Sequence, residues 1–101
     1  MQVNALAGLE QNAGEAAQLL KLLANEHRLL VLCHLVTKGE MTVNALADAI
    51  GLSQSALSQH LARLREDRLV AFRREAQTLH YRVADRRAVQ VLKTLKQIFC
   101  P

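Results

Sequence analysis

Two helix starts, with one helix stop between them, lie close together in the middle of this chain. Thr42 and Ser53 carry hydroxyl side chains of the kind that cap helix N-termini, and a helix-forming run follows each of them. Gly51 lies between the two runs, where its tolerance of positive φ allows the first helix to end. The pattern predicts a short helix over residues 43–50 and a longer one over residues 54–67. A short helix, a turn with glycine and a longer helix in this order form a helix-turn-helix.

Helices are also predicted on the N-terminal side of this unit. Apolar residues recur at spacings of three and four over residues 4–23, which indicates a helix with one apolar stripe. Asn25 is a candidate N-cap for a second helix over residues 26–37, and Gly39 is expected to end it. Because this second helix is apolar almost all round, we expect it in the middle of the domain.

The hydrophobic period changes after the helix-turn-helix. Apolar and polar residues alternate over residues 79–83, as in a half-buried strand, and residues 69–75 are the predicted partner strand. The connection through residues 76–78 contains no strong turn pair, so the type of this hairpin turn stays open. Asp85 is a candidate cap for a final helix. The apolar side of that helix is formed by Val91, Leu92, Leu95, Ile98 and Phe99.

These elements predict a mainly α fold with a small β-hairpin, in the order α-α-α-α-β-β-α. A length of 101 residues fits one compact domain without a linker or an internal repeat, so residues 1–101 form a single predicted domain. The start of the chain lacks the basic region of a secretion signal, and no apolar run approaches the roughly 20 residues of a membrane span. The two cysteines are too few for a disulfide scaffold. We therefore expect a cytoplasmic protein that does not enter a membrane.

The net charge of +4 is unevenly distributed along the chain. Residues 1–50 hold three Lys and Arg against five Asp and Glu, whereas residues 51–101 hold ten Lys and Arg against four Asp and Glu. Such an asymmetry favours contact between the second half and a polyanion such as nucleic acid. A solvated basic face without a partner is the alternative that charge alone leaves open.

The longer helix of the helix-turn-helix has two different faces. Leu57, Leu61 and Leu64 fall on one side, which is the side expected to face the core. The opposite side lacks the Glu and Lys pairs of an ordinary solvated helix face. Its residues are Ser55, Ser58, Gln59 and Ala62. Glutamine can hydrogen-bond adenine bidentately and serine can donate or accept, so this face is suited to reading base edges.

Positively charged residues beside this face are candidates for phosphate contacts. Arg63 and Arg65 lie behind it on the same helix, and Arg73 and Arg74 lie on the predicted hairpin. The complete set of candidate contacts with double-stranded DNA is Thr42, Gln54, Ser55, Ser58, Gln59, Arg63, Arg65, Arg73, Arg74 and Gln77. His60, in contrast, is interpreted as a packing residue at the edge of the core and not as a ligand.

A family resemblance rests on these same residues. The run Leu52-Ser-Gln-Ser-Ala-Leu-Ser-Gln-His-Leu61, followed by Leu64, Leu69-Val70, Arg73-Arg74 and Tyr81-Arg82, strongly resembles the ArsR/SmtB family of winged-helix bacterial repressors. The resemblance covers residues 15–101. It implies a homodimer through the first and last helices, a fourth helix that reads a palindromic DNA operator, and a β-hairpin wing. Arg68 departs from the family, which has Gly there, and since a non-Gly residue in the left-handed region costs about 1 kcal/mol, a local change at the helix end is expected.

The metal sites of the family are not matched in this chain. Where the resemblance places a Cys-Val-Cys triplet for arsenic or cadmium, the chain has Thr42-Val43-Asn44, which offers no thiolate. In the family's zinc site Asp85 matches, but Arg87, Ile98 and Pro101 occupy the other positions. A lone carboxylate cannot hold Zn²⁺, which takes about four N, O or S ligands. The sequence therefore predicts no metal and no cofactor.

Cys33 and Cys100 are the remaining candidates for a sensor. Each alone is readily explained as a buried, inert hydrophobe. As a pair, within the strings Arg28-Leu-Leu-Val-Leu-Cys33 and Ile98-Phe-Cys100, they resemble the BigR, SqrR and HlyU-like subgroup of the family. That resemblance implies that the two thiols respond to reactive sulfur species or oxidants by forming a disulfide or polysulfide link. Which thiol attacks first stays open, since neither has a clear cationic neighbour in sequence.

We therefore predict a dimeric DNA-binding transcriptional regulator, with repression as the favoured outcome and a Cys33–Cys100 redox switch. One alternative is an activator or anti-repressor of the HlyU type that displaces a nucleoid protein. Another is a protein-interaction module whose basic face binds acidic partners. An enzyme is not expected, because the chain has no Ser-His-Asp order, carboxylate pair, Gly-rich phosphate loop or metal cluster.

Overall fold

The computed structural model describes residues 4–100, with side chains from Leu6 onwards. The elements in chain order are α1 (Asn4–Leu23), α2 (Glu26–Lys38), β1 (Met41–Thr42), α3 (Val43–Ile50), α4 (Gln54–Glu66), β2 (Val70–Glu75), β3 (Thr78–Val83) and α5 (Arg86–Phe99). This confirms the predicted mainly α fold with a β-hairpin wing, and none of the described helices is long and apolar enough to cross a membrane. Pro101, which takes a zinc-site position in the family resemblance, lies outside the described residues.

The predicted caps explain why the helices begin where they do. Asn25, Thr42, Ser53 and Asp85 each accept a hydrogen bond from a backbone N–H two or three residues further along the chain. These bonds satisfy donors that the first turn of a helix otherwise leaves without partners. At the end of α3, Gly51 has a φ of 82° in the left-handed region, as the helix-turn-helix pattern predicts.

A three-stranded antiparallel sheet in the order β1-β3-β2 forms the wing and its base. The sequence does not predict β1, because a strand of two residues has no detectable period; it forms by pairing with β3, Met41 opposite Tyr81. The hairpin turn consists of Ala76 and Gln77 alone, since Thr78 already belongs to β3. This corrects the predicted connection, which included Thr78. The φ of 56° at Ala76, the first loop position, is the pattern of a type II′ turn.

Leucines dominate the core, and no polar or charged residue is buried in the described part of the chain. Leu57, Leu61 and Leu64 are at most 1% exposed, which confirms the predicted core face of α4. The predicted central place of α2 is confirmed on three sides, where it packs against α3, α4 and α5. It also packs against β3, but it is not fully enclosed, since Leu30 is 42% exposed and Cys33 is half-buried.

Arg68 fills the position at the end of α4 that glycine usually takes. Its φ of 61° lies in the left-handed region. The Arg68 N–H donates to the carbonyl of Arg65 at 3.0 Å, and the Leu69 N–H donates to the carbonyl of Leu64 at 2.9 Å. These two bonds are those of a Schellman motif. The helix end therefore keeps its usual path, and the expected local change is confined to backbone strain of about 1 kcal/mol.

Candidate functional site

The predicted reading face of α4 lies on the surface of the molecule. Its residues Ser55, Ser58, Gln59 and Ala62 are all exposed. The leucines on the other side of the helix are buried, so the backbone of α4 is fixed by the core while these side chains point to solvent. With a rotation of about 100° per residue, Arg63 falls on one side of the reading face and Arg65 on the other. The structure thus places the polar side chains of the predicted reading face between two cations.

Two further candidate contacts are engaged at the junction of α3 and α4. The Gln54 side-chain amide donates a hydrogen bond to Asn44 Oδ1, which ties the start of α4 to α3. Thr42 Oγ1 accepts the capping bond from the Ala45 N–H at 3.2 Å. Its hydroxyl proton remains able to donate to a phosphate. Gln54 therefore links α4 to α3, and Thr42 caps α3.

The wing presents one arginine on the side that adjoins α4. Successive residues of a strand point to opposite faces, so Phe72 and Arg74 share one face of β2. The Arg65 guanidinium lies 5.0 Å from the centre of the Phe72 ring, which identifies that face as the one next to α4. Arg74 is exposed there and forms no ion pair with any residue that the structure describes. Gln77 is exposed at the tip of the hairpin.

Arg73, on the other face of β2, is occupied by two carboxylates. Its Nε lies 3.0 Å from Glu40 Oε2, and its Nη1 lies 2.9 Å from Glu75 Oε2. Hydrogen bonds from Arg73 hold the pKa of both carboxyl groups below their usual range, so both are ionised at neutral pH and offset its charge. Sequence reasoning, which offers Arg73 as a phosphate contact, misses this because Glu40 is 33 residues away along the chain.

A groove of about 520 Å³ lies between α2 and α5. Cys33 enters it from α2 and Cys100 from the end of α5, so the two predicted switch residues line one space. The other lining residues are Leu29, Leu30, His34, Thr37, Lys38, Leu95, Lys96 and Phe99. Both cysteines are free thiols, and we call this space the dithiol groove.

The two thiols differ in their surroundings. Cys33 is half-buried, and burial raises the pKa of its thiol above the ordinary value. The positive charge of Lys96 lowers that pKa, and a Cys100 thiolate raises it. Cys100 is exposed just after α5, where its backbone N–H donates to the carbonyl of Lys96 at 2.8 Å. Cys33 therefore ionises less readily than a free cysteine, and its ionisation depends on charges carried by α5.

Lys96 is a member of this site that the sequence interpretation misses. Its Nζ donates to Thr37 Oγ1 at 2.7 Å, and the Thr37 hydroxyl donates to the carbonyl of Cys33 at 2.8 Å. Lys96 precedes Cys100 by four residues, and Thr37 follows Cys33 by four, so each lies one helical turn from a thiol. The spacing of four residues between Lys96 and Cys100 is therefore a sequence signal for a cation near a thiol, which corrects the expectation that neither cysteine has a cationic neighbour.

His60 packs where the sequence places it, at the edge of the core. It is half-buried, and its ring centre lies 5.4 Å from that of His27, at the start of α2. Among the described residues there is no group of three or more side chains that could hold a metal ion. The two rings pack against each other between α2 and α4.

Large apolar side chains on the first and last helices face solvent. They are Leu6, Leu9 and Leu20 on α1 and Ile98 and Phe99 on α5. Phe99 is 76% exposed and Leu9 is 58% exposed, far more than a core residue allows. Exposed apolar groups concentrated on two elements are typical of an interaction surface. They occupy the two helices through which the sequence predicts a dimer.

Comparisons with known proteins agree with this arrangement. Residues 25–71 match the family described as "Bacterial regulatory protein, arsR family". The chain is 44% identical over 95 residues to the transcriptional activator HlyU of Vibrio cholerae, covering 94% of this chain and 87% of that protein. It is 41% identical over 92 residues to the biofilm growth-associated repressor of Xylella fastidiosa, covering 91% of this chain and 80% of that protein. The crystal structure of the transcriptional regulator HlyU from Vibrio vulnificus is similar with a TM-score of 0.87 and 46% identity, covering 95% of this chain and 99% of that one.

Proposed function

The chain belongs to the ArsR family of bacterial regulatory proteins, and on that premise we propose that it is a dimeric repressor whose hold on a palindromic operator is set by Cys33 and Cys100. As a member of this family it is a DNA-binding transcriptional regulator and not an enzyme. The observation that carries the sensor half of the proposal is that both thiols line the same groove between α2 and α5.

DNA recognition is assigned to the reading face of α4 together with the wing. The exposed Gln59 and Ser58 supply hydrogen-bonding groups for base edges, which is what major-groove readout requires. Arg63, Arg65 and Arg74 surround that face with positive charge and fix its register on the phosphates. Arg73 takes a different role, since its ion pair with Glu40 ties the wing to the residue before β1, while its other partner, Glu75, lies on β2 itself.

Replacing Arg74 by alanine should weaken DNA binding by about tenfold and reduce the slope of log K against log salt by about 2, one contact for each subunit. The measurement is fluorescence anisotropy at several salt concentrations, with a palindromic duplex that the protein selects from a random library. The matched control is the double variant Arg73→Gln with Glu75→Gln, which removes the ion pairs of Arg73 with Glu40 and with Glu75 without changing net charge. It should bind within about twofold of the parent protein. An equal loss of affinity and slope in the control would assign the phosphate contact to Arg73.

Dimerisation is supported by the exposed apolar residues of α1 and α5. A dimer would place two α4 helices against successive major grooves, whose centres are about 34 Å apart. Because α5 belongs both to that interface and to the dithiol groove, a bond between the thiols would act directly on the geometry of the dimer.

The proposed switch is a two-step sulfur transfer. One thiolate attacks the terminal sulfur of a persulfide RS–SH, which gives a protein persulfide and releases RS⁻. The second thiolate attacks the Sγ of the first cysteine, the inner sulfur of that persulfide, which forms the disulfide and expels HS⁻. The two thiols are oxidised, and the transferred sulfur leaves reduced. If both cysteines become persulfides first, the same attack leaves a trisulfide bridge, which spans a wider gap than a disulfide.

Mass spectrometry of the persulfide-treated protein tests the switch. We expect the Cys33 and Cys100 peptides to be joined within one chain, through a disulfide or through a bridge with additional sulfur. Cys100→Ser should instead accumulate a persulfide on Cys33. Parallel treatment with hydrogen peroxide distinguishes sulfur transfer from general oxidation as the inducing chemistry. A protein that gains neither sulfur nor a cross-link under either treatment would refute the sensor.

An activator is the second candidate function. It is favoured by the 44% identity to a protein whose name describes a transcriptional activator. Such a protein would raise transcription by displacing a nucleoid protein from the same DNA. Deleting the gene separates the two, because target expression rises on loss of a repressor and falls on loss of an anti-repressor.

A further inference from the structure

Lys96 bridges the two walls of the dithiol groove. It starts from α5, one turn before Cys100, and its ammonium reaches across to Thr37 on α2 at 2.7 Å. Thr37 in turn bonds the carbonyl of Cys33, so the ammonium is fixed near the backbone turn that carries that cysteine. Three leucines and a phenylalanine are among the residues around it, and beside such apolar side chains a lone thiolate would be poorly solvated.

We propose that Lys96 is a positioning residue of the dithiol pair, which stabilises the Cys33 thiolate and so keeps a half-buried thiol able to react. The proposal rests on the proposed function, because it names what makes one of the two switch thiols chemically competent. Without a nearby cation, an apolar groove would hold Cys33 as an inert thiol. With it, the thiol can lose its proton to solvent and leave a thiolate that the nearby positive charge stabilises.

The other ionisable groups around the groove define the controls. His34 and Lys38 line it from α2, and Lys96 and Cys100 line it from α5. Of these, Lys96 and Cys100 are the two whose charges act on the Cys33 thiol, with opposite signs. Lys38→Gln therefore removes the same charge from the same groove without removing the proposed stabilising group.

The test is the pH profile of Cys33 alkylation in a Cys100→Ser background. A neutral reagent, iodoacetamide, is used, so that the thiolate displaces iodide and the rate reports ionisation without a charge on the reagent. Lys96→Gln should move the profile to higher pH. For each pH unit by which the profile moves, the alkylation rate below the pKa falls about threefold. The reason is that a tenfold loss of thiolate is partly offset by the greater nucleophilicity of the more basic thiolate. Above both pKa values the order reverses, and the variant reacts faster than the parent.

Lys38→Gln should leave the profile unchanged, and Lys96→Arg, which keeps the positive charge, should restore that of the parent. A Lys96→Gln profile that overlays the parent would overturn the proposal. So would slower alkylation at every pH, because that outcome describes an altered groove and not a shifted ionisation.

The proposed switch can fail separately from this role. A shifted profile without any Cys33–Cys100 cross-link after persulfide treatment would support Lys96 and remove the switch. A cross-link in a protein whose alkylation profile does not depend on Lys96 would support the switch and overturn the proposed role of Lys96.

Discussion

Replacing Leu9 by glutamate is expected to convert the proposed dimer into monomers and to weaken binding to the selected palindrome by about 10²–10⁴-fold. Leu9 is 58% exposed on α1 and lies within about 20° of Leu20 around the helix, so both belong to one outward stripe. A carboxylate in that stripe would place a charge without a partner inside an apolar interface. The expected loss of DNA affinity is large because, in a dimer, binding of one α4 helix to its half-site makes binding of the second α4 helix intramolecular. Monomers lose this advantage.

The control for Leu9→Glu is Gln11→Glu, which introduces the same charge on another side of α1. Gln11 is exposed and lies about 200° from Leu9 around the helix, so the variant should remain dimeric. Sedimentation velocity gives the oligomeric state and fluorescence anisotropy gives the affinity. The Leu9→Glu monomer should keep its fold, since changing an exposed side chain alters stability by about 0.5 kcal/mol or less. A Leu9→Glu protein that stays dimeric would show that α1 does not form the interface.

Features that depend on neighbouring residues are predicted well from the sequence. The helix boundaries follow from short-range signals, such as Ser53 before α4 and Gly51 after α3, and the structure has both caps. The buried leucines of α4 follow from their spacing alone. Strand β1 does not follow, because two residues carry no period and form a strand only where β3 comes alongside.

The chemistry of the candidate site is less accessible to sequence reasoning, because it depends on contacts between distant segments. Arg73 resembles a free phosphate contact until the fold brings Glu40 to it. Lys96 resembles a solvent-exposed helix residue until α5 packs on α2 and its ammonium meets Thr37. The pairing of Cys33 with Cys100 in one groove could be suggested only through a family resemblance, since nothing local to either cysteine refers to the other.

The position of α2 explains how events in the dithiol groove can reach the DNA. This helix packs against α5 on one side and against α3 and α4 on others, so it contacts both parts of the proposed route, the dithiol groove and the helix-turn-helix. His27 of α2 also lies against His60 of α4. A bridge that fixed α5 against α2 would therefore affect both the packing that supports α4 and the proposed dimer interface. Close-packed elements of this kind move as units, so a small local change can misalign the two α4 helices of a dimer with the major grooves of DNA.

Cys33→Ser should bind DNA like the reduced parent protein, within about twofold, yet keep its affinity after persulfide treatment. Serine is close to cysteine in size and Cys33 is half-buried, so the fold should tolerate the change. The parent protein should lose affinity by about 5- to 150-fold under the same treatment, the range of a coupling free energy between two sites. Fluorescence anisotropy before and after treatment, followed by reduction with dithiothreitol, measures the loss and its reversal.

Cys100→Ser decides whether the link or the first modification causes release. A mechanism that depends on an intrachain bridge requires both thiols, so Cys100→Ser should also keep its DNA affinity even though Cys33 still gains sulfur. If Cys100→Ser instead releases DNA like the parent, a persulfide on Cys33 is sufficient, and the groove responds to the added sulfur and not to a bond between α2 and α5. Cys33 is half-buried and Cys100 is exposed, so the two serine variants remove thiols from different environments. If both variants keep their DNA affinity after persulfide treatment, the result supports a bond that needs both thiols.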